Sequence, residues 1–240
     1  VLVVQKSKIL GITFKQHLAN DGLHYEHRWF TPWKKNEVKT IKYANQTINV
    51  GDIVYNINGT KIGIEICRDA WKGEERTAHN LIEKGAEIII NPSASHFAFG
   101  KTMVREELGL SLTKKYNNCF LQVNLLGNES GRAIYDGDIQ FHQNGKLKYK
   151  AERLSLKLVD THVIDVDTEN ADNSTEYLPT DWFFKNEEFT LAATVGLFDY
   201  IRKVKSKGFI LSLSGGADSD LCAVLVAHMV RRLLRHYTVT

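Results

Sequence analysis

Residues 61–71 read KIGIEICRDAW, and this stretch decides how the first part of the chain folds. Residues 61–66 predict a short strand that ends directly at Cys67. The pattern from Trp71 to Lys84 predicts a helix, with Gly85 at its C-cap position. The stretch therefore places a cysteine where a strand turns towards a helix.

A cysteine at such a junction is well placed for nucleophilic chemistry. The N–H groups that open a helix stabilise a thiolate and can also donate to an oxyanion on a substrate. The alternative is structural, because a free cysteine is often a small buried apolar residue. The position of Cys67 alone leaves both interpretations open.

The chain around this stretch alternates between strand and helix patterns. Paired strands follow, separated by the turn residues Asn144-Gly145. This order predicts a mixed α/β layer structure. The first predicted strand, 86–91, is near-continuously apolar, and a helix is predicted over 101–116. The further predicted strands are 119–126, 134–143, 146–154 and, closing this part, 162–166.

A second part begins after an acidic stretch. Residues 165–176 carry five acidic residues and no base, and they precede Pro179, so this region is the best linker candidate. Beyond it the pattern predicts an amphipathic helix over 187–205 and a strand over 208–213. A glycine turn over 214–216 and a helix from about Asp218 follow. We therefore expect a domain over 1–165, a linker over 166–186 and the start of a second domain over 187–240.

Composition limits the possible functions. The chain has 240 residues, 43% hydrophobic residues and a formal net charge of +3, which is ordinary for a globular protein and gives no indication of nucleic-acid binding. No apolar run approaches the length of a membrane span. The three cysteines do not form a CxxC, which favours reduced thiols and a cytoplasmic protein. The chain also begins as a buried strand without an initiator Met and stops soon after an apolar helix, so we expect a fragment of a longer protein.

Several motifs together resemble a known enzyme superfamily. Residues 65–71 (EICRDAW) follow 15–22 (KQHLANDG) and 25–33 (YEHRWFTPW), and they precede 91–95 (NPSAS) and 135–138 (YDGD). In this order the motifs resemble the nitrilase (carbon–nitrogen hydrolase) superfamily, and more closely the glutaminase domains of the glutamine-dependent NAD synthetase family. The resemblance implies an α/β fold of the nitrilase-like α-β-β-α sandwich type over residues 1–165.

The resemblance also implies a Glu–Lys–Cys triad. By position Cys67 matches the nucleophile, Lys15 matches the triad lysine, and Glu26 matches a glutamate that orients this lysine. The general-base glutamate of the triad is implied to lie ahead of residue 1. Ser93 and Ser95 are candidates for binding the amino-acid head of glutamine, with turn capping as the alternative.

Residues 214–219 read SGGADS and form the second candidate site. Two glycines let the backbone approach an anion closely, and the helix that follows adds aligned N–H donors. The loop is not a Walker A motif, because no Gly-Lys-Ser/Thr follows. The alternative is a plain turn in which Asp218 or Ser219 caps the helix.

This loop resembles the pyrophosphate-binding loop of the ATP-pyrophosphatase fold. The resemblance implies the first βα unit of a Rossmann-like adenine nucleotide alpha-hydrolase domain, with ATP as cofactor and Mg²⁺ assisting through ligands that lie largely after residue 240. The implied substrates are glutamine, deamido-NAD and ATP, and a homo-oligomer is expected. The matching ATP-binding positions are Ser214, Gly215, Gly216, Asp218 and Ser219.

Together, the two resemblances imply the activity of a glutamine-hydrolysing NAD synthase. The alternatives are a free-standing nitrilase-type amidase and an inactive fragment with only a structural role. The nine histidines show no metal-ligand spacing, so no metal site is predicted in this part of the enzyme. His24, His27 and His96 lie near the motifs and are candidates for lining the first site.

Overall fold

The computed structural model describes residues 1–129, 133–178 and 184–237, with side chains to residue 235. Its strands are β1 (Leu2–Gln5), β2 (Lys8–Ile12), β3 (Val38–Tyr43), β4 (Gln46–Gly51), β5 (Val54–Ile57), β6 (Thr60–Ile64), β7 (Ile88–Ser93), β8 (Cys119–Asn124), β9 (Leu126–Glu129), β10 (Ala133–Asp136), β11 (Ile139–Gln143) and β12 (Lys146–Lys150). Its α-helices are α1 (Thr77–Glu83), α2 (Lys101–Tyr116), α3 (Lys185–Val204) and α4 (Ala217–Tyr237).

The strands form three sheets. The largest has six strands in the order β12-β11-β8-β7-β6-β5, with the parallel strands β6, β7 and β8 at its centre. A four-stranded sheet has the order β1-β2-β4-β3, and β9 pairs with β10 in a two-stranded sheet. No helix among the described residues is long and apolar enough to span a lipid bilayer.

Alternating side chains give the six-stranded sheet two apolar faces. Ile89 pairs with Phe120, and both pack with Leu81 of α1 and Leu112 of α2. The next pair in the register, Ile88 and Cys119, belongs to a cluster on the opposite face. A strand buried on both faces reads as a continuous apolar run, which is why the sequence signal for β7 is strong.

The four-stranded sheet packs on the face opposite to α1 and α2. Val3 of β1 joins a cluster with Tyr55 of β5 and Ile64 of β6. Val54 precedes Tyr55 in β5, so its side chain lies on the opposite face of the sheet, where it packs with the helices. The described chain is therefore layered as helices, six-stranded sheet and four-stranded sheet, which confirms the predicted α/β class.

The predicted element bounds hold where local signals dominate. The helix predicted over 101–116 is α2 with the same bounds. The helix predicted over 71–84 is wrong in its first half, where two 3-10 turns, Cys67–Trp71 and Gly73–Glu75, precede α1. The break has two causes: Gly73 adopts a left-handed φ of 54°, and Arg76 is non-helical, with its side chain bound to buried Glu65.

Two predicted strands are each divided. The strand predicted over 119–126 splits into β8 and β9 at Leu125, whose N–H donates to the Ser93 carbonyl at 2.9 Å. The strand predicted over 134–143 splits into β10 and β11 at Gly137, where φ is 67° and an added Cβ would lie 2.9 Å from Leu126 Cδ1. Each split lets the chain leave the large sheet for the two-stranded one. Residues 162–166 form no strand.

The acidic region predicted as a linker contacts the first part of the chain. The N–H of Tyr177 donates to the Lys148 carbonyl at 2.8 Å, and Lys150 N–H donates back to the Tyr177 carbonyl at 2.9 Å. These bonds place Tyr177 on the outer edge of β12. Residues 179–183 of the predicted linker, including Pro179, lie outside the described residues.

Beyond the linker the helices form as predicted and the strand does not. The helix predicted over 187–205 is α3, and its Ala192 and Val195 pack with Leu154. The helix predicted from about Asp218 is α4, which packs on α3. The strand predicted over 208–213 is absent, and Ile210 is fully exposed. A strand needs a neighbour to take up its backbone hydrogen bonds, and no described strand lies beside this stretch.

Candidate active site

The parallel strands of the large sheet end at one edge, and a cavity of about 780 Å³ lies there. Cys67 follows β6, Ser93 ends β7, and the cavity is completed by the segment that carries Lys15 and Glu26. Crevices at the carboxyl ends of parallel strands are the usual ligand sites of α/β sheets. Cys67, Lys15, Glu26, Ser93 and Ser95, all predicted from sequence, line this cavity together.

Cys67 has an unusual backbone conformation. It follows the extended residue Ile66, has a φ of 48° and opens the 3-10 helix Cys67–Trp71. A left-handed conformation at a residue other than glycine costs about 1–3 kcal/mol and persists only where surrounding contacts hold it. The side chain is partly buried and the thiol is free.

Asp69 supplies several of these contacts. Its side chain is buried, and its carboxylate accepts hydrogen bonds from the backbone N–H groups of Ile66 at 3.0 Å, His17 at 2.7 Å and Gln16 at 3.2 Å. One carboxylate therefore joins the turn that carries Cys67 to the segment that carries Lys15. Burial raises the pKa of Asp69 to about 7, against the lowering effect of the hydrogen bonds from Ile66 and His17.

Lys15 is held by Glu26. The Lys15 ammonium donates to both carboxylate oxygens of Glu26, at 2.7 and 2.6 Å, and only 12% of the lysine side chain is exposed. Glu26 also accepts a hydrogen bond from the backbone N–H of Ala19 at 2.6 Å. This pairing fixes a positive charge in the wall of the cavity that contains Cys67.

A buried ion pair lies behind the Cys67 turn. Glu65, which directly precedes the turn, is fully buried and pairs with the guanidinium of Arg76 at 2.6 Å. Arg76 also donates to the Leu108 carbonyl of α2 at 2.7 Å. Because Glu65 is fully engaged by Arg76 and by the N–H of Ala78, we assign it a structural role rather than the role of a base.

Ser93 is connected to the Cys67 turn through Asn91. The Ser93 hydroxyl donates to Asn91 Oδ1 at 2.5 Å, and Asn91 Nδ2 donates to the carbonyls of Glu65 at 3.3 Å and Cys67 at 3.4 Å. Asn91 is fully buried, so these bonds are shielded from water. The chain from Ser93 to Asn91 thus ends on the backbone of Cys67 itself.

Ser95 is fixed through its backbone. Its N–H donates to Asn124 Oδ1 at 2.8 Å, and its carbonyl accepts hydrogen bonds from Asn124 Nδ2 at 2.9 Å and from Arg105 at 3.2 Å. Arg105 is fully buried and pairs with Asp136 at 2.7 Å and Asp138 at 3.0 Å. The two aspartates of the YDGD motif therefore support the loop that carries Ser95, and their role is indirect.

The cavity contains further polar groups to which the sequence analysis gave no role. The Tyr135 hydroxyl donates to Glu129 at 2.6 Å, and burial together with this hydrogen bond raises the pKa of Tyr135. The Lys101 ammonium lies 5.9 Å from the Trp71 ring centroid, and burial, followed by the nearby Arg105 charge, lowers the pKa of Lys101.

Asp21, His24 and His96 also line the cavity. Burial opposes ionisation of Asp21, but hydrogen bonds from the backbone and ring of His24 outweigh it and lower the pKa of Asp21 to about 2. Burial and the charge of Lys101 lower the pKa of His96. His27, the third histidine singled out from sequence, is exposed and does not line this cavity.

The Ser214 loop lies apart from this cavity at the start of α4. Gly215 adopts a φ of 80°, and the Ser219 hydroxyl donates to the Gly216 carbonyl at 2.8 Å and lies 3.3 Å from the Ser214 hydroxyl. Ser214, Gly215, Gly216 and Asp218 are exposed. The structure therefore groups the five predicted positions at one helix start that is open to solvent.

Comparison with known proteins identifies the family to which the chain belongs. The sequence profile of the carbon-nitrogen hydrolase family matches residues 2–163. Glutamine-dependent NAD(+) synthetases of Mus musculus and Homo sapiens are 31% and 30% identical to the chain, and each alignment covers 92% of it. The chain spans 37% and 38% of the length of these relatives.

Solved structures give the same result. A glutamine-dependent NAD(+) synthetase from Cytophaga hutchinsonii superposes with a TM-score of 0.78 at 42% identity, over 97% of this chain and 36% of that one. A glutamine-dependent NAD+ synthetase from Acinetobacter baumannii, in complex with ADP, superposes with a TM-score of 0.76 at 21% identity, over 95% of this chain and 39% of that one. These similarities confirm the expected nitrilase-type fold.

Proposed function

The chain belongs to the carbon-nitrogen hydrolase family, and on this basis we propose that it releases ammonia from glutamine through a thioester on Cys67. The observation that carries the proposal is that the Cys67 thiol and the Glu26-bound Lys15 ammonium line the same cavity. A thiol beside a fixed cation is the arrangement that nucleophilic attack on an amide requires.

The proposed reaction uses each group in turn. A base takes the thiol proton, and the Cys67 thiolate attacks the carboxamide carbon of glutamine. Lys15 stabilises the negative charge that develops on the carbonyl oxygen. The protonated base returns its proton to the amide nitrogen, and ammonia leaves as the C–N bond breaks. Water, deprotonated by the same base, then hydrolyses the γ-glutamyl thioester, and the sulfur takes the proton back to regenerate the thiol. Ser93 and Ser95, which line the same cavity, are proposed to bind the amino-acid head of glutamine.

The base is proposed to be a glutamate upstream of residue 1, as the family resemblance implies. The engagement of the carboxylates in the described part of the cavity supports this assignment. Glu26 is bound by Lys15, Glu129 by Tyr135 and Asp21 by His24. None of the three makes a hydrogen bond to the Cys67 sulfur within the described residues.

We further propose that the ammonia amidates deamido-NAD after ATP has activated its carboxylate. Ser214, Gly215, Gly216, Asp218 and Ser219 would hold the β,γ-phosphates of ATP, since a left-handed glycine turn before a long helix directs N–H groups at an anion. Mg²⁺ would neutralise phosphate charge, and the exposed Asp218 carboxylate is an oxygen donor of the kind that this ion prefers. The names of the relatives support this activity over a free-standing amidase.

A cytoplasmic homo-oligomer is the proposed form of the enzyme. The thiols of Cys67, Cys119 and Cys222 are all free, which supports a reducing compartment. The oligomeric state is an expectation from the family resemblance, and sedimentation of the complete enzyme measures it directly.

The decisive experiment uses the complete enzyme with Cys67→Ala. We expect this variant to lose NAD formation driven by glutamine and to keep NAD formation driven by added ammonia. Cys222→Ala is the matched control, because Cys222 is exposed and lies outside the cavity. Loss of both activities in Cys67→Ala would contradict the assignment of Cys67 to the glutaminase step.

A second experiment tests the position of the base. Ammonia release from glutamine is compared between the 240-residue chain and a version extended at its N-terminus. We expect release from the extended version and almost none from the shorter chain. Strong release from the shorter chain would show that the base lies within residues 1–240.

A further inference from the structure

Three side chains at the rim of the Cys67 cavity are placed as metal ligands. Asp21, His24 and His96, which we call the rim cluster, each offer one ligand atom, and these atoms lie within 4.8 Å of one another. All three residues line the cavity. Asp21 and His24 belong to the segment that carries Lys15 and Glu26, and His96 follows the loop that carries Ser93 and Ser95.

The distances suit a small divalent ion. Two ligand atoms that share one Zn²⁺ at about 2.0–2.1 Å are separated by roughly 3.0–3.5 Å in tetrahedral geometry. Asp21 Oδ1 and His24 Nδ1 are already 3.1 Å apart. The ring of His96 stacks on the ring of His24 with centroids 5.6 Å apart. The ligand atom of His96 lies within 4.8 Å of the other two, so His96 would have to move towards the pair for all three atoms to share one ion.

The ring of His96 is also free to bind. Its Nδ1 atom is buried and has no hydrogen-bond partner among the described residues. A buried ring nitrogen without a partner loses the energy of a hydrogen bond unless another group binds it. The Lys101 ammonium, which donates to the His96 carbonyl at 3.0 Å, opposes a cation here, and the Asp21 carboxylate offsets that charge.

We propose that the rim cluster binds one divalent transition-metal ion of the Zn²⁺ class. Two imidazoles and one carboxylate are a ligand set that such ions prefer, and three protein ligands leave a coordination position open towards the cavity. A bound ion would connect the segment that carries Lys15 and Glu26 to the loop that carries Ser93 and Ser95. This inference does not depend on the proposed glutaminase reaction.

Titration with Co²⁺ tests the site in the 240-residue chain carrying Cys67→Ser and Cys222→Ser. These two substitutions remove the accessible thiols, which would otherwise compete for the metal. We expect one Co²⁺ per chain, with visible absorption bands of a four-coordinate ion, displacement by Zn²⁺, and a rise in the thermal midpoint with added Zn²⁺.

Single substitutions then locate the ligands. We expect His24→Ala, His96→Ala and Asp21→Asn each to weaken Co²⁺ binding by at least about tenfold, since even outer-shell partners of a metal site contribute that much. His27→Ala is the matched control, because His27 is exposed on the same segment and lies outside the cavity. The near-isosteric Asp21→Asn keeps the test valid if an alanine variant fails to fold.

Two outcomes would overturn the proposal. The first is Co²⁺ binding that is unchanged in all three rim-cluster variants. The second is binding that weakens equally in His27→Ala, which would indicate adventitious binding to surface histidines.

Discussion

Replacing Glu26 with Gln tests how the cavity positions its positive charge. The substitution keeps the size and shape of the side chain and removes its negative charge. Glu26 accepts two hydrogen bonds from the Lys15 ammonium and one from the N–H of Ala19, at 2.7, 2.6 and 2.6 Å. Glu26 Oε2 accepts from both Lys15 and Ala19, and Oε1 accepts from Lys15 alone. The NH₂ group of a glutamine therefore faces the Lys15 ammonium, donor against donor, in either orientation of the side-chain amide.

The size of the effect follows from these contacts. A hydrogen bond between charged groups contributes about 1.5–3 kcal/mol, and the lower part of this range applies because 27% of the Glu26 side chain is exposed to water. If the loss falls on the transition state, each 1.4 kcal/mol corresponds to about a tenfold change in rate. The lower part of the range, about 1.5–2.2 kcal/mol, therefore predicts a fall in kcat for glutamine hydrolysis of roughly ten- to fortyfold.

The assay is steady-state ammonia release by the complete enzyme, with kcat and KM measured separately. Glu106→Gln is the matched control, because Glu106 is a partly exposed glutamate that pairs with a lysine, Lys150, at 3.5 Å outside the cavity. We expect this control to stay within about twofold of the unsubstituted enzyme, as surface ion pairs contribute little. A Glu26→Gln enzyme with unchanged kcat would refute the view that Glu26 positions Lys15.

Three further substitutions test the support of the site. Asp69→Asn should lower the free energy of unfolding, measured in urea, by about 1–3 kcal/mol, because one backbone N–H then faces an amide NH₂. An unchanged free energy of unfolding would show that the three hydrogen bonds make no net contribution to stability. Arg105→Met should lower the free energy of unfolding by about 3–5 kcal/mol, since Asp136 and Asp138 lose the cation buried between them. A decrease of less than about 1 kcal/mol would contradict this expectation. Burial lowers the pKa of His142 to about 3, so the unfolded chain takes up a proton between about pH 6.5 and pH 3 that the folded chain does not. The free energy of unfolding should therefore decrease by up to roughly 5 kcal/mol as the pH falls through this range. His142→Gln should reduce this pH dependence of the free energy of unfolding, and an unaltered pH dependence would rule out His142 as its cause.

Local sequence signals were sufficient for much of the fold. The run that forms β7 is apolar on both faces, and the helix predicted over 101–116 has the bounds of α2 because its ends coincide with left-handed residues Gly100 and Asn117. The strand predicted over 61–66 is β6, which ends at Ile64, two residues earlier than predicted, so that Glu65 and Ile66 lie between the strand and Cys67.

Contacts between distant segments account for the errors. Nothing in residues 71–84 indicates that Arg76 leaves the helix pattern to reach buried Glu65. The apolar run 208–213 has the composition of a strand, but strand formation depends on a neighbour, and the described residues supply none.

The same distinction applies to the site. Motif resemblance found Lys15, Glu26, Cys67, Ser93 and Ser95, which line one cavity. The sequence analysis named His24 and His96 as candidates for lining the site, and both line the cavity. Their grouping with Asp21 was not predicted, because His96 meets Asp21 and His24 only in the folded chain. Asp69 was quoted within a motif without a role, since its partners Gln16 and His17 are more than 50 residues away.

The relation between thiol and ammonium depends on Asp69 more than on the sheet. The sheet fixes the end of β6, but Cys67 then takes a left-handed conformation that costs about 1–3 kcal/mol on its own. Asp69 accepts a hydrogen bond from the N–H of Ile66, the residue before Cys67. It also accepts hydrogen bonds from the N–H groups of Gln16 and His17, the two residues after Lys15. Because both segments donate to the same carboxylate, a shift of one segment relative to the other breaks hydrogen bonds to Asp69. The shared hydrogen bonds to Asp69 would hold the strained turn and the lysine segment in one arrangement, and this would preorganise the cavity for the proposed attack on an amide.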